Sequence, residues 1–281
     1  TSQGDSLYDA NQHAWMIIMA ILSAVMVLLG IYHIFMLPSG GKRAAAEVHR
    51  TGKQVMVELG EVLIDFFRKR HIVYYICFII LYRFAEGFVM KIVPLFLKTE
   101  REMGGLGLSE KEIGLYYGSY GAAAFVLGSL LAGYYISSRG LKKTLFTLCG
   151  IFNLPFLVYT LFAIFQPTNG LLICSGIIFE YFGYGFGFVG LTLFMMQQIA
   201  PGKHQMAHYA FASGIMNLGV MIPGMLSGWV CELFEEWFNK PSGYEPFFIF
   251  VLIATIPAFL ITYFVPFKYN QDGTLIEGEK E

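Results

Sequence analysis

The stretch LYRFAEGFVMKIV, residues 81–93, decides how this sequence is read. It sits inside a run, 71–97, that is otherwise apolar enough for a membrane helix, yet it places Arg83, Glu86 and Lys91 within nine residues. Insertion scales put the cost of a central ionised residue at about 2.5–3.5 kcal/mol and the gain from each Leu, Ile, Phe or Val at roughly 0.3–0.6 kcal/mol. The three charges together cost about 9 kcal/mol, and the apolar residues of the run offset about that much or somewhat less. Alone in lipid the helix is marginal, so its charges need partners. Arg83 and Glu86, three apart, share a helix face and can pair. Lys91 lies about 140° around from Glu86 and about 80° from Arg83, so it needs a different partner or a route to water.

Outward from this run, the composition is that of a membrane protein. The 281 residues are 56% hydrophobic, 17% aromatic and 14% charged, where a soluble domain has about 25% charged. A formal net charge of −1 offers no basic stripe, so a nucleic-acid partner is not expected. A span needs about 20 mostly apolar residues, and seven runs qualify: 14–37, 71–97, 112–136, 144–165, 171–199, 207–231 and 246–267. An all-α polytopic bundle of seven transmembrane helices is therefore expected, with the bilayer as its main surroundings. No cleavable signal peptide is visible, and a chain starting at Thr1 rather than Met is expected to be processed, tagged or truncated.

Lys and Arg sort the connections into two sides. Thirteen fall before the 71–97 run, at 139–143, at Lys203 and in the tail, while Lys98, Arg101, Lys111 and Lys240 make up the alternate set. The positive-inside rule then places the amino terminus outside and the carboxyl terminus in the cytoplasm. Within the 38–70 connection, Val55, Leu59, Val62, Leu63 and Phe66 recur at helical spacing, which predicts an amphipathic helix on the cytoplasmic membrane face. Ser109 and Glu112 form a capping-box pattern that opens the third run. The acidic tail from Asn270 is expected to be disordered.

Beyond Arg83, Glu86 and Lys91, one further charge lies in the interior of a run, Glu180 in the fifth. Intramembrane ionisable residues usually face a bundle interior or a hydrated cavity on a substrate or ion pathway. Tyr82 beside Arg83, and Tyr181 and Tyr184 after Glu180, can stack on a sugar face or bond its oxygens, although ordinary core packing explains tyrosines equally well. Gly183, Gly185, Gly187 and Gly190 fit close helix approach, and Pro155, Pro223 and Pro257 add kink points. Cys77, Cys149, Cys174 and Cys231 lack metal or disulfide spacing and read as packing residues.

No catalytic pattern emerges. FASG at 211–214 and MLSG at 225–228 lack the first glycine of a GxSG serine motif, and His204 and His208 lack a nearby acidic third ligand. An enzyme is not expected. A seven-helix receptor shares the topology but would want a DRY-like triplet and NPxxY where this chain has SSRG and TYFVPF. No GxxxxGK occurs either, so no nucleotide or other cofactor is expected and energy must come from an ion gradient.

GYYISSRGLKK, residues 133–143, resembles the loop motif G-x-x-x-D-R-x-G-x-R-R of the major facilitator superfamily. Gly133 and Gly140 hold its glycine positions and Lys142 and Lys143 its final basic pair, while Ser137 and Ser138 replace the Asp and Arg. More narrowly, LYRFAEGF, FEYFGYGFG, HYAFASGIMNLG and PGMLSGW resemble the AmpG-type muropeptide permeases over about 70–266. The resemblance implies a major facilitator bundle in which 1–37 is the extracytoplasmic start and sixth helix of twelve, 38–70 the loop between halves, 71–267 the six-helix C-terminal half and 268–281 a cytoplasmic tail. An N-terminal half of the same transporter is then missing. The 71–97 and 171–199 runs become the cavity-lining first helices of their three-helix units, and these carry all the buried charge. The implied activity is proton-driven import of a muropeptide or related glycan across the bacterial inner membrane, the alternative being another small polar solute. Arg83 would hold an anionic or carbonyl group and pair with Glu86. Glu180 would carry the proton, because burial away from a cation favours its neutral form.

Overall fold

The computed structural model of the chain describes residues 2–37, 52–270 and 274–276. It divides into two compact units, Thr1–Val57 and Glu58–Glu281. In the first, α1 spans Ser2–Met36, and its Gln12–Met36 portion is long and apolar enough to cross a membrane. Its side chains from Trp15 to Leu37 are exposed, as a lipid-facing helix requires.

A second helix, α2 (Gly52–Arg68), carries the apolar stripe expected within 38–70. Val62 and Phe66 of that stripe are buried, while Val55, Leu59 and Leu63 are exposed. Residues 38–51 of the same connection lie outside the described residues.

The decisive run is not one continuous helix. It forms α3 (Ile72–Tyr82) and α4 (Phe84–Lys98), which meet at Arg83 with φ −107 and ψ 6. That conformation belongs to the sparsely populated bridge region between helix and strand. Each piece is shorter than a bilayer core requires. The helices long and apolar enough to cross number six among the described residues: the α1 portion, α5 (Glu110–Arg139), α6 (Leu141–Phe165), α7 (Gly170–Ile199), α8 (Gln205–Phe238) and α9 (Tyr244–Tyr263).

Local chemistry sets the boundaries. Ser109 caps α5 through the expected reciprocal box, its hydroxyl accepting from Glu112 N–H while the Glu112 carboxylate accepts from Ser109 N–H at 2.9 Å. Gly140 separates α5 from α6 at φ 82, a left-handed conformation that favours glycine. Pro155 interrupts α6, and Thr255 interrupts α9 just ahead of Pro257. Pro223 sits inside α8 without breaking it.

Helix α7 is the central plank of this unit, packed against α5 on one side and α6 on the other, while α8 packs along α3 and α4. The glycines predicted for close approach do that work. A Cβ on Gly185 would collide with the Phe125 carbonyl of α5, and one on Gly183 with the Ile151 carbonyl of α6. The four cysteines are all free.

The buried side chains form two clusters stacked along the helix axes. One is built around Tyr75, Phe78, Tyr82, Leu145, Phe152 and Phe194, the other around Phe88, Phe96, Phe156, Tyr159, Phe247 and Phe248. The helix breaks at Arg83, Pro155 and Thr255 all fall where a helix passes from one cluster to the other.

Within the second unit, connections gather at two ends. Residues 68–70, 201–203 and 268–269 line one hollow, and 139–143 with Phe267, Tyr269 and Asn270 an adjoining one. At the opposite end Arg101 donates to the carbonyls of Gln166 and Pro167. The tail departs from the expectation of disorder as far as it is described. Tyr269 pairs with Leu275 in an antiparallel bridge, with Asn270 N–H donating to Thr274 O at 2.8 Å and Ile276 N–H to Lys268 O at 2.9 Å. Gln198 anchors it, its Oε1 accepting from the backbone N–H of Lys268 and Tyr269 and its Nε2 donating to Tyr269 O. Backbone donors met by a fixed amide, rather than apolar burial, order this segment. The acidic residues Asp272, Glu277, Glu279 and Glu281 lie outside the described residues.

Candidate functional site

A polar layer lies between the two apolar clusters. Arg83 enters it because α3 ends at Tyr82, in the first cluster, and α4 begins on the way to Ala85, in the second. Its guanidinium donates to both oxygens of Glu86, Nε to Oε2 at 2.6 Å and Nη2 to Oε1 at 2.5 Å. This two-point geometry suits the planar fork of arginine and would not survive replacement by lysine. Glu86 also stands in the first turn of α4, where unpaired N–H groups favour negative charge. The pair is enclosed, at 5% and 3% exposure.

Helix α7 closes over it. Tyr184 Oη lies 3.4 Å from Arg83 Nη2, and the guanidinium carbon sits 5.3 Å from the centre of the Phe188 ring. One turn back on the same helix, Glu180 is also buried, at 8% exposure, and its Oε2 accepts from the Tyr159 hydroxyl of α6 at 3.1 Å. Among the described residues no cation reaches Glu180. Glu180 and Glu86 are near enough to repel one another when both are ionised.

Arg83, Glu86, Glu180 and Tyr184 thus come together as one constellation. Tyr181 joins it at the edge, half-buried, with its ring 6.4 Å from Tyr184 and 4.8 Å from Tyr117 of α5. Two predicted members do not join. Tyr82 is wholly buried in the first cluster and spends its hydroxyl on Gly187 O at 3.0 Å, tying α3 to α7. Lys91 is exposed on α4, its stem running past Gly224 of α8.

In this structure the charged groups meet partners within the protein. The ion pair is completed within one turn of α4, Glu180 is met by Tyr159, and the rings of Tyr184 and Phe188 cover what remains.

The loop residues behave differently. Gly140 makes the turn and Lys142 and Lys143 are exposed beside it, whereas a Cβ on Gly133 would meet nothing within 4 Å. His204 and His208 do have an acidic neighbour, contrary to expectation: α2 brings Asp65 Oδ2 to 3.7 Å from His204 Nε2. Among the described residues no group of three such side chains could hold a metal.

Sequence reasoning missed Tyr159, Phe188 and Asn153. Asn153 is buried at the end of the first half of α6, and its Oδ1 has no hydrogen-bond partner. Each of these lies on a helix other than that of its partner or in an uncharged run, where helical spacing says nothing. A buried Asn just ahead of a helix-breaking Pro155 was the available signal.

A "Putative transporter AmpG 1" from Rickettsia felis is 25% identical over 191 residues, which are 68% of this chain and 40% of that protein. Its counterpart in Rickettsia bellii is 24% identical over 71% of this chain and 45% of its own length. The anhydromuropeptide permease of Escherichia coli K12 is 22% identical over 70% of this chain and 37% of its own length. The chain therefore spans less than half the length of these curated relatives. Residues 106–280 match the Major Facilitator Superfamily, covering α5 to α9 and both glycine-packed faces of α7. With more than half of its length matched, the chain belongs to the Major Facilitator Superfamily.

Proposed function

We propose that the chain forms part of a secondary transporter that carries a muropeptide or a related glycan across the bacterial inner membrane. One observation supports this above the others: ionisable side chains occupy a polar layer at mid-depth, between two apolar clusters, at a level where three helices break. A bundle needing only cohesion gains nothing from such a layer, since apolar residues of similar volume hold together as well or better than a buried ion pair. The names of the relatives supply the solute class.

In this reading residues 71–267 act as the C-terminal six-helix half, with α3 and α4 together making one crossing, and further helices complete the transporter. The relatives' greater length supports that division. The end carrying Arg68, Lys69, Lys142 and Lys203 faces the cytoplasm by the positive-inside rule.

Arg83 is the contact for an anionic or carbonyl group of the solute. Its bond to Tyr184 is long, so that hydroxyl and one guanidinium edge are the groups a ligand can recruit without breaking the two-point pair. Tyr181, half-buried at the rim, offers a ring to a sugar face. Glu180 carries the coupled proton: it is enclosed, has no cation beside it and holds a single hydroxyl donor, so either protonation state can be accommodated as its surroundings change. Import then requires the enclosed layer to open to each side in turn, and the closed arrangement described above is one stage of that cycle.

Counterflow in proteoliposomes with labelled anhydromuropeptide tests the reading. Exchange that needs the parent side chain at Arg83, and that loses its pH dependence in Glu180→Gln, is expected. Exchange that keeps its full pH dependence in Glu180→Gln removes the proton role, and a preference for unrelated polar solutes over glycans removes the solute class.

A further inference from the structure

The opening turns of α5 are mostly not α-helical. After the Ser109 box, Glu110–Ile113 make one α turn, Gly114–Gly121 run as a π-helix, and α geometry resumes at Ala122. A π-helix bonds each N–H to the fifth residue back, so it holds more residues per turn than an α-helix, and it is rare beyond a single turn.

Packing against α7 asks for one glycine of this segment and not for the others. A Cβ on Gly121 would come within 3.0 Å of the Tyr181 ring, whereas a Cβ on Gly114 or Gly118 would meet nothing within 4 Å. Glycine is the poorest helix former after proline. Two that no neighbour requires leave the stretch easy to rewind.

What the segment presents is Tyr117. Its ring stands edge-on to Tyr181 of α7, with 4.8 Å between centres and 82° between planes. Both rings are half-buried, and Tyr117 lies within electrostatic reach of the Glu180 and Glu86 carboxyls. The other groups around Glu180 are held from elsewhere: Tyr159 of α6 donates to it at 3.1 Å, and Glu86 of α4 is bound by Arg83. Tyr159 and Tyr181 ride on α-helical turns, Tyr117 on π-helical ones.

We propose that Tyr117 is a positioning residue that covers Glu180, and that exchange of π for α geometry in Gly114–Gly121 uncovers it. Winding the same residues more tightly turns the side chains ahead of Ala122 about the helix axis, so the Tyr117 ring cannot stay edge-on to Tyr181 when the segment becomes α-helical. The swing leaves the seam between α5 and α7 intact. That seam is clamped further along, where a Cβ on Gly128 would strike the Phe182 carbonyl and one on Gly185 the Phe125 carbonyl. The use of such a cover rests on Glu180 carrying the coupled proton.

Carboxyl labelling tests the cover without any solute. The full chain in uncharged detergent is treated with dicyclohexylcarbodiimide, which modifies protonated carboxyls inside membrane proteins, and the label on Glu180 is measured by peptide mass spectrometry with Glu180→Gln as the blank. Tyr117→Ala should speed this labelling roughly fivefold, the population change that loss of one edge-to-face ring pair allows. Tyr117→Phe keeps the ring and should label at the parent's rate. Deletion of Gly118, which is exposed, removes a surplus residue from the π turns and should match Tyr117→Ala. Hydrogen exchange in the parent checks the same point without a variant: amides of 114–121 should exchange faster than those of 122–139.

Labelling of Glu180 in Tyr117→Ala at the parent's rate overturns the covering role. So does label appearing on Glu86 as well, because general loosening would release Glu86 from Arg83, whereas uncovering Glu180 leaves that pair closed. A folded Gly118 deletion that labels at the parent's rate, or equal protection of 114–121 and 122–139, overturns the π-to-α exchange. Labelling can fail while counterflow still depends on Glu180, and counterflow can fail while labelling holds, so the two failures are distinguishable.

Discussion

Breaking the Arg83–Glu86 pair from one side should cost far more than removing it entirely. The two bonds are 2.6 and 2.5 Å long and both side chains are more than nine-tenths buried. Arg83→Met leaves the Glu86 carboxyl buried without its cation, beside Tyr184 and with Glu180 nearby, and Glu86→Leu leaves a guanidinium facing the ring of Phe188. Each should lose about 3–5 kcal/mol, the usual cost of an uncompensated buried charge. For a chain of this size that corresponds to a fall of roughly 10 °C in apparent melting temperature. The Arg83→Met/Glu86→Leu double variant removes both charges and fills similar volume, so it should return to within about 1–2 kcal/mol of the parent. The assay is heat or SDS unfolding in micelles followed by circular dichroism, with counterflow on the same preparations. Stability recovers in the double variant while transport does not. If the two losses simply add, the pair is not the self-contained unit described here and the reasoning fails.

Three further outcomes are expected. Tyr159→Phe takes away the one hydroxyl that bonds Glu180 and should cost about 1–3 kcal/mol, so a melting temperature equal to the parent's would contradict the buried contact. Gly185→Ala forces a methyl against the Phe125 carbonyl and should destabilise by about 1–3 kcal/mol, which unfolding in SDS would reveal; an unchanged midpoint means that α5 and α7 are not so close. Lys69, ordinarily at 10.5, is lowered to about 8 by burial first and Lys268 second. Between those values the unfolded chain binds more protons than the folded one, so stability should rise as pH increases from about 8 to 10.5. Solvent screening at this half-exposed site reduces the gain to about 1 kcal/mol, and a slope that persists in Lys69→Met assigns it elsewhere.

The helices were legible because apolar run length is a strong signal, and the Ser109 box and the Gly140 turn were legible because each has its own local chemistry. The buried charges Arg83, Glu86 and Glu180 announced themselves by cost alone. What the sequence concealed depends on contacts between helices. Nothing at position 83 marks a helix end, since no Pro or Gly stands there; the break follows from the neighbours on both sides being drawn into different apolar clusters. Tyr82 looked like a site residue because it adjoins Arg83, but a helix turns about 100° per residue and aims it into the core instead. Tyr159, twenty-one positions from Glu180, could be paired with it only once α6 and α7 were laid side by side. Gln198 holds the backbone of Lys268 and Tyr269 just ahead of the tail, a contact between distant positions that composition does not reveal.

The interruption at Arg83 divides the run into two arms. Its upper arm, α3, is fastened to α7 through the Tyr82 hydroxyl and packs on α8 and α9. Its lower arm, α4, holds the guanidinium and its carboxylate together, because Gly87 N–H still donates to Arg83 O and the pair lies inside a single turn. Were the arms to pivot, the two charges would travel as cargo of the lower one, sliding past Tyr184 rather than separating. A rocking motion could thereby reset what the arginine greets without ever stranding a naked charge in oil.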